Sequence, residues 1–292
     1  MKLSFLIVTK NRPEALTFTL NKLKSLIDLS IHEVLVLSDG CTKTEAFVSQ
    51  FSWVNWTIKT KSVSASPARN ALYKKAKGTI FIGLDDDAHP ISDNFIEQIE
   101  NEFVNNKNLG IIAFQEVRGI FESDAIALSK ATQKNSYFTN DFVGCGFAIK
   151  KEVYNTTRGF PLWVDIYGEE SALALEVLDL GCDITYNSAI IINHRVDVEK
   201  RKQQGRNYFR FEKQLQNSIR YYLVYYPTPF LKIAKLLIHN FKKYGIKDIQ
   251  YFKLYFKVCF STVFQLFEIL KYRKPVKKNT LQKKISLQSL KY

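Results

Sequence analysis

The chain has 292 residues, and 46% of them are hydrophobic, so a sizeable folded core is expected and wholesale disorder is excluded. The formal net charge of +14 predicts a polyanionic partner, either nucleic acid or an anionic membrane surface. The cysteines Cys41, Cys145, Cys182 and Cys259 are far apart and form no metal-type pair, which favours a reduced, cytosolic setting.

Strand and helix patterns alternate along the first part of the chain. The first apolar segment is too short for a signal peptide with its cleavage site and predicts a strand instead. Further apolar runs predict strands, and apolar repeats at helical spacing predict the helices between them. This βαβα order predicts a Rossmann-like α/β fold, with a mostly parallel central sheet and helices on both faces. The expected strands are residues 3–8, 34–37, 56–58, 79–84 and 110–114, and the expected helices are 13–27, 66–76 and 91–104.

The second part of the chain is less regular. A strand with glycines is expected at 143–149, a helix that opens with residues 167–170 and runs to Leu180, and one or two strands over 183–192. From about residue 205 the sequence is typical of basic, aromatic helices. The expected organisation is a main α/β domain over residues 1–204, a helical extension over 205–272 and a flexible basic tail over 273–292.

Three consecutive aspartates, Asp85, Asp86 and Asp87, follow the apolar run at 79–84. Carboxylates crowded at the end of a buried strand repel one another and lose hydration, so a cation is expected to compensate them. Alternate residues of a strand share a face, which places Asp85 and Asp87 together. Oxygen ligands of this kind suit Mg²⁺ or Mn²⁺, completed by substrate phosphates. The alternative is a solvated acidic turn, with Asp93 capping the next helix.

Other polar side chains follow the neighbouring strands. Arg12 comes shortly after the first expected strand, and Asp39 follows the second. Ligands of open α/β sheets bind beyond the carboxyl ends of the strands, where these residues and the aspartate triplet would meet. The sequence therefore predicts a ligand site at this edge of the sheet.

Taken together, the motifs of residues 2–200 resemble glycosyltransferase family 2, the inverting nucleotide-sugar enzymes of the GT-A fold, and a weaker resemblance continues to residue 227. Each motif alone is weak, but their joint order is specific for the family, although not for the sugar. In chain order the motifs are Thr9-Lys10-Asn11-Arg12-Pro13, Asp39-Gly40, Ala68-Arg69-Asn70, Asp85-Asp86-Asp87, Gly144-Cys145-Gly146, Gly159-Phe160, Gly168-Glu169-Glu170 and His194.

The resemblance implies a role for each matched position. It implies a UDP- or dTDP-sugar donor whose base is read by Asp39, and a Mn²⁺ or Mg²⁺ ion held by Asp87 and His194. Glu169 and Glu170 occupy the place of the family's acidic catalytic pair, with Glu170 at the position that usually acts as base. The remaining positions implied for the nucleotide pocket are Thr9, Arg12, Arg69, Asp85 and Asp86.

The chemistry of sugar transfer explains these residue types. A divalent ion neutralises the charge that builds on the departing diphosphate, and a positioned carboxylate takes the proton of the acceptor hydroxyl. A base on the face opposite the leaving group gives a single displacement that inverts the anomeric centre. The dipole of the helix that begins near Glu170 is expected to keep this base ionised. The sugar and acceptor depend on loops such as 115–140, and Trp163 is the expected acceptor contact.

The sequence departs from the family pattern in two places. The loop at 38–43 lacks the first and last acids commonly found there, and Ala172 stands where many relatives carry a further aspartate. This leaves Glu169 and Glu170 as the candidate bases, with a catalytically silent, membrane-bound adaptor as an alternative function. A sugar nucleotidyltransferase is a further alternative, but it needs a glycine-rich phosphate loop after the first strand, and residues 9–13 contain no glycine.

Individual site residues also have structural interpretations. Asp39 fits an ordinary turn, Arg69 a solvated helix charge, and Glu169-Glu170 the first turn of any helix. A lone histidine such as His194 is more often structural than a ligand. His89 is a competing metal ligand, ranked lower because the following proline turn directs it away. Each structural interpretation is plausible for a single residue. The functional interpretation gains when all the residues are considered together, because one fold would bring all the predicted groups to one cleft.

The C-terminal part is strongly basic, because Asp248 and Glu268 are its only acids after Glu212. Its longest charge-free apolar run, residues 258–267, is well short of the roughly 18 residues that suggest a membrane span. Aromatic residues interrupted by lysines favour helices that lie on an anionic membrane. Together with the family resemblance, this implies an enzyme at the cytoplasmic face of the membrane that acts on a glycan or lipid-linked glycan in cell-surface polysaccharide synthesis. The alternatives are a helical pair packed on the main domain or an oligomer contact. No nucleic-acid-binding motif accompanies the charge.

Overall fold

The computed structural model describes residues 2–290, without the side chains of residues 200 and 201. Residues 1, 291 and 292, which belong to the expected main domain and tail, lie outside this description. The strands are β1 (Leu3–Thr9), β2 (Glu33–Asp39), β3 (Asn55–Lys59), β4 (Ile80–Asp85), β5 (Ala88–Pro90), β6 (Leu109–Arg118), β7 (Tyr137–Phe138), β8 (Gly146–Lys150) and β9 (Asp183–His194). They form one sheet in the order β3-β2-β1-β4-β8-β6-β9-β5, and β7 also pairs with β9.

Helices connect and flank these strands. Two short 3-10 helices span Val48–Gln50 and Gly245–Lys247. The α-helices are α1 (Pro13–Leu26), α2 (Thr42–Glu45), α3 (Ala65–Tyr73), α4 (Phe95–Asn105), α5 (Asp124–Leu128), α6 (Lys151–Thr156), α7 (Glu169–Asp179), α8 (Val198–Gln203), α9 (Tyr208–Tyr225), α10 (Phe230–Lys243), α11 (Ile249–Phe264), α12 (Leu266–Leu270) and α13 (Lys278–Ser286).

The first part of the sheet is parallel. β1 pairs in parallel with β2 and β4, and β2 pairs in parallel with β3. Thr9, Asp39 and Asp85 are the last residues of β1, β2 and β4, so their side chains lie at the same edge. The α/β fold predicted from the alternating patterns is confirmed, and so is the placement of these polar residues at the carboxyl ends of the strands.

The rest of the sheet is mixed. β8 runs antiparallel to β4 and β6, and it begins only at Gly146, so the first residues of the strand expected at 143–149 form a loop. β9 is a single strand that ends at His194 and pairs in parallel with β6. β5 follows the aspartate triplet and pairs Ala88 with His194. This pairing brings the end of β9 next to the triplet.

The apolar core has a layer on each face of the sheet. One layer includes Leu20 of α1 and Ile99 of α4, and the other includes Leu72 of α3 and Leu173 of α7. Helices therefore cover both faces, as predicted.

The helical extension packs on the main domain through a third apolar cluster. Trp163 and Leu175 of the main domain contact this cluster, together with Leu215 of α9 and Val258 of α11. α10 has no fully buried residue. Among the described residues, none of the helices combines the length and apolar character needed to cross a bilayer.

Over residues 273–290 the tail forms a helix and packs on the main domain, which differs from the flexible segment expected there, and residues 291 and 292 lie outside the described residues. α13 packs on α7, where Thr280 Oγ1 donates a hydrogen bond to Asp179 Oδ1 over 2.6 Å. Further along, Thr139 Oγ1 donates to the Gln288 carbonyl over 2.8 Å, and Leu287 packs against the core layer beside α7. The polar composition that suggested disorder here supplies the hydrogen bonds that hold the tail in place.

Candidate active site

A cleft of about 610 Å³ lies at the carboxyl ends of β1, β2 and β4. It is continuous with an adjoining cavity of about 940 Å³, because Arg12, Asp85 and Glu170 line both spaces. The adjoining cavity also contains the predicted metal ligand His194. The predicted residues that line the cleft are Thr9, Arg12, Asp39, Arg69, Asp85, Asp86, Glu169 and Glu170.

The aspartates of the triplet have different partners. Asp86 is buried, accepts a hydrogen bond from Thr9 Oγ1 over 2.7 Å, and forms an ion pair with Arg12 at 2.8 Å. Burial raises the pKa of Asp86 to about 7, although Arg12 and Thr9 act in the opposite direction. Asp87 pairs with Arg12 and His194. Burial opposes ionisation of Asp87, but these two neighbours hold its pKa well below the usual range.

Asp85, Asp87 and His194 could hold a divalent ion. Their ligand atoms lie within 4.8 Å of one another. Asp87 Oδ1 is buried and accepts no hydrogen bond from the described residues, although His194 Nε2 lies 3.2 Å away. A buried carboxylate oxygen is unfavourable unless a cation satisfies it, which here is either protonated His194 or a metal ion that displaces the His194 proton. Because carboxylates suit Mg²⁺ and Mn²⁺, the residues present fit the predicted ion.

Glu116 is a site residue that the sequence analysis missed. Its Oε1 lies 2.5 Å from His194 Nδ1, which fixes the ring and directs Nε2 toward Asp87. Burial lowers the pKa of His194, but the surrounding carboxylates outweigh it and raise the pKa to about 9. The expected strand at 110–114 stops short of Glu116, whereas β6 continues to Arg118. The apolar run ends at Phe114, and the signal that could have found Glu116 is Val117, an apolar residue that follows Gln115 and Glu116.

Arg69 connects the triplet to the glutamate pair. Its guanidinium lies 2.6 Å from Asp85, 3.0 Å from Glu169 and 3.4 Å from Glu170. Arg69 is buried on α3, so it is not a solvated helix charge. The three carboxylates compensate its burial, and its positive charge in turn limits the repulsion among them.

Glu169 and Glu170 form the first turn of α7, after Gly168 in a left-handed conformation at φ 103. Burial raises the pKa of both carboxyl groups, and Glu169 raises that of Glu170 further, more than Arg69 lowers it. The expectation that the helix dipole keeps Glu170 ionised is therefore corrected, because burial and like charge outweigh it. The Glu170 side chain is 24% exposed and that of Glu169 only 4%, so Glu170 is the accessible member of the pair.

Gly144 allows the close approach of the charged groups. A methyl group at this position would lie 2.5 Å from Glu170 Oε1 and 2.7 Å from Arg69 Nη2. The next glycine, Gly146, faces apolar packing instead, because its added methyl would lie 2.3 Å from Ile192 Cδ1. The first glycine of this motif is thus part of the site, and the second belongs to the core.

Asp39 holds a loop at the other end of the cleft. Its carboxylate accepts hydrogen bonds from Ser62 Oγ at 2.6 Å, from the Val63 amide at 2.7 Å and from the Ser64 amide at 3.1 Å. A carboxylate has about four lone-pair sites, so Asp39 retains capacity for a ligand. The base-reading role of Asp39 stays a prediction.

Two other predicted positions lie away from the cleft. Trp163 is 7% exposed and packs against Tyr225 with 6.0 Å between ring centroids, so the structure does not place it as an acceptor contact. The sequence could not show that the helical extension covers this tryptophan. His89 is fully buried between Asp124 at 3.0 Å and Arg195 at 2.6 Å, which agrees with its lower rank as a metal ligand.

The parallel sheet, the aspartate triplet at its edge and the glutamate pair across the cleft define a GT-A glycosyltransferase. A family model described as Glycosyl transferase family 2 matches residues 4–156, just over half of the sequence. The chain belongs to this family. The matched segment contains the triplet, whereas the glutamate pair and His194 lie beyond it.

Several solved structures share the fold. The TarS fragment 1–349 from S. aureus, in complex with UDP-GlcNAc, has a TM-score of 0.62 and 14% identity, covering 88% of this chain and 79% of that one. The mannosyltransferase PcManGT from Pyrobaculum calidifontis, with GDP-Man and Mn²⁺, has a TM-score of 0.59 and 15% identity, covering 97% and 83%. GalNAc-T7 with UDP, GalNAc and Mn²⁺ has a TM-score of 0.61 and 15% identity, covering 78% of this chain and 49% of that one. This chain thus spans about half of GalNAc-T7. No curated protein sequence matches the chain.

Proposed function

We propose that this glycosyltransferase is inverting and metal-dependent, and that it moves a sugar from a UDP- or dTDP-sugar to a hydroxyl of a glycan acceptor. The observation that carries the proposal is the position of Arg69, which contacts Asp85 of the triplet and both glutamates of α7. Arg69 therefore connects Asp85, on the side of the cleft that would hold the leaving diphosphate, with the glutamates, one of which would accept the proton. Family membership favours sugar transfer over nucleotidyl transfer.

The triplet side of the cleft fits the donor. Asp85, Asp87 and His194 would hold Mn²⁺ or Mg²⁺, which when bound neutralises charge on the diphosphate oxygens. Arg12 borders both spaces with 46% of its side chain exposed, and it can contact the diphosphate from the other side. Asp39 would accept a hydrogen bond from the ring N–H of uracil or thymine. Neighbours named as complexes with UDP, UDP-GlcNAc and GDP-Man support a nucleotide-sugar donor.

Glu170 is the proposed base. It is the more exposed glutamate, and it lines both the cleft and the adjoining cavity. A pKa raised toward neutrality suits a general base, because the group then accepts a proton effectively while still ionising near neutral pH. Glu170 would take the proton of the acceptor hydroxyl, whose oxygen attacks the anomeric carbon opposite the diphosphate. Glu169 would keep Arg69 in place.

A thermal-shift panel of UDP-, dTDP- and GDP-sugars, with Mn²⁺ or with EDTA, tests the donor assignment. A UDP- or dTDP-sugar is expected to raise the melting temperature only with Mn²⁺, since a ligand at 100 times its Kd stabilises a protein by about 2.7 kcal/mol. The absence of any shift, or equal shifts in EDTA, would contradict the proposal. Nucleotide release from the stabilising donor then separates an active enzyme from a silent adaptor, which binds the donor without turnover.

We further propose that the protein binds peripherally to the cytoplasmic face of an anionic membrane and acts on a lipid-linked glycan. Large apolar side chains are exposed on the C-terminal helices, and Lys232, Lys235 and Lys253 lie exposed among them. Aromatic side chains at headgroup depth and lysines on lipid phosphates are typical of helices that lie on a membrane. We propose that these lysines form one surface, named the apolar-basic face, with the exposed side chains of Phe230, Leu231, Ile238, Phe260, Val263, Phe264 and Phe267.

Vesicle flotation tests this contact. The protein should float with phosphatidylserine-containing vesicles, and Phe264→Asp with Phe267→Asp should abolish flotation, because these side chains are 84% and 80% exposed. Val104→Asp is the control, since Val104 is 72% exposed on α4, outside the apolar-basic face. A dimer without vesicles that the Phe264→Asp variant dissociates would instead identify the face as an oligomer contact.

A further inference from the structure

A third cavity, of about 830 Å³, lies between α7, α9, α10, α11 and α13. We name it the tyrosine cavity, because Tyr221, Tyr222, Tyr244 and Tyr251 line it. Amide side chains such as Asn240 lie between the tyrosines. Aromatic rings and amides of this kind can pack on and hydrogen-bond to a sugar or polyol. The donor chemistry described above uses none of these side chains.

The tyrosine cavity is positively charged. Arg210, Lys243 and Lys284 line it, and none of the described residues in its wall is an aspartate or a glutamate. Within the described part of the chain, none of these three cations lies within 4 Å of a carboxylate oxygen, and Lys284 Nζ donates to the Tyr221 hydroxyl over 2.9 Å. One carboxylate, Asp141, lies behind Ser171 of the wall and attracts Lys284, so the cations still outnumber the carboxylates at the cavity. An excess of cations around a cavity attracts an anionic ligand. Each cation lies over a tyrosine ring instead: Arg210 over Tyr167 at 5.1 Å, Lys243 over Tyr244 at 5.1 Å and Lys284 over Tyr221 at 5.2 Å.

Tyr167 links the tyrosine cavity to the catalytic pair. It lines all three spaces and has a left-handed backbone at φ 68. Asn217 Nδ2 fixes this conformation by donating to the Tyr167 carbonyl over 3.1 Å. The next residue, Gly168, also lines the tyrosine cavity and leads directly into Glu169 and Glu170. The tyrosine cavity therefore borders, through Tyr167, the two spaces that Glu170 lines.

α10 separates the tyrosine cavity from the apolar-basic face. Leu236, Asn240 and Lys243 line the cavity. Leu231 and Ile238 of the same helix are 67% and 56% exposed and belong to the apolar-basic face. The cavity thus lies between the surface proposed to contact a membrane and the helix that carries the proposed base.

We propose that the tyrosine cavity binds a phosphate group of the acceptor, with the acceptor's sugar or polyol hydroxyls on the tyrosines and the reacting hydroxyl toward Glu170. This inference rests on the proposed function, which supplies the donor and the base. The phosphate either links the glycan to its lipid or belongs to the glycan itself. Both sources present the same anion to Arg210, Lys243 and Lys284.

Calorimetric titration of the full chain with matched probes tests the inference. The probes are farnesyl phosphate with farnesol, and glycerol 3-phosphate with glycerol, in EDTA so that no divalent ion bridges protein and probe. The phosphorylated member of at least one pair is expected to bind, and its neutral partner is not. Lys243→Gln and Lys284→Gln should each weaken that binding about tenfold, as the loss of a hydrogen bond to a charged group predicts. Tighter binding of farnesyl phosphate identifies a lipid phosphate, whereas equal or tighter binding of glycerol 3-phosphate identifies a phosphate within the glycan.

Lys242→Gln is the matched control. It removes the same charge from the neighbouring position on α10, which is exposed and does not line the cavity. Three outcomes would overturn the inference. Lys242→Gln and Lys243→Gln could weaken phosphate binding equally, the neutral probes could bind as tightly as their phosphorylated partners, or neither phosphorylated probe could bind. Titration of the same variants with UDP and Mn²⁺ should give the wild-type affinity. Failure of the wild-type chain to bind UDP with Mn²⁺ would count against the proposed function, so the two failures are distinguishable.

Discussion

Replacement of Gly144 by alanine tests whether the catalytic pair must be held in one position. The added methyl would lie 2.5 Å from Glu170 Oε1 and 2.7 Å from Arg69 Nη2. Arg69 cannot easily move, because it is buried and forms ion pairs with Asp85 at 2.6 Å and Glu169 at 3.0 Å. Relief of both contacts therefore requires a shift of the Gly144 backbone away from Arg69 and a retreat of Glu170 from 2.5 Å to an ordinary contact of 3.4 Å, a displacement of roughly 1 Å. A misplacement of that size can lower turnover about 100-fold.

The assay is release of UDP or dTDP from the cognate donor, with donor affinity measured in parallel. We expect kcat to fall about 100-fold in Gly144→Ala, while the donor Kd stays unchanged. Overpacking also lowers the free energy of unfolding by about 1–3 kcal/mol, so stability needs its own control. Gly146→Ala provides it, because its methyl would lie 2.3 Å from Ile192 Cδ1 and strain apolar packing instead. Full activity in Gly144→Ala, or an equal loss of kcat in both variants, would refute the reasoning.

Further predictions concern the metal ligand, the base and the pH dependence. Glu116→Gln should weaken Mn²⁺ binding about 10- to 100-fold in calorimetry, because His194 loses the carboxylate that orients it, and unchanged affinity would contradict this role. Glu170→Gln should remove transfer and spare donor binding. If Glu169→Gln removes transfer instead and Glu170→Gln retains it, Glu169 is the base. Burial and Glu169 raise the pKa of Glu170 above the ordinary 4.5, and a base must be ionised. Therefore kcat should rise with pH through a midpoint above 4.5, and a rate that is constant across the acidic and neutral range would exclude Glu170.

Local patterns were sufficient to predict the parallel part of the sheet and the edge where the site lies. The apolar runs before Thr9, Asp39 and Asp85 are short, and each ends in polar residues, as buried parallel strands do. Because ligands of such sheets bind beyond the carboxyl ends of the strands, the convergence of these side chains followed without knowledge of the packing.

Long-range contacts account for what the sequence could not show. Arg69 contacts Asp85 and also Glu169, which lies 100 residues further along the chain. The contact with Glu169 forms only because β8 and α7 return to the first strands. Trp163 is covered by the helical extension, and composition alone does not reveal how that extension docks. The order of the tail likewise depends on hydrogen bonds to distant residues, such as the one between Thr280 and Asp179.

Calorimetric titration with UDP, with and without Mn²⁺, on the wild type and Asp87→Asn tests the central claim most directly. The claim is that Asp87, with Asp85 and His194, holds a divalent ion that binds the diphosphate of the donor. We predict that UDP binds the wild type with Mn²⁺, that EDTA weakens this binding strongly, and that Asp87→Asn binds weakly in both conditions. Wild-type affinity for UDP in EDTA, or metal-dependent binding that Asp87→Asn leaves intact, would contradict the account.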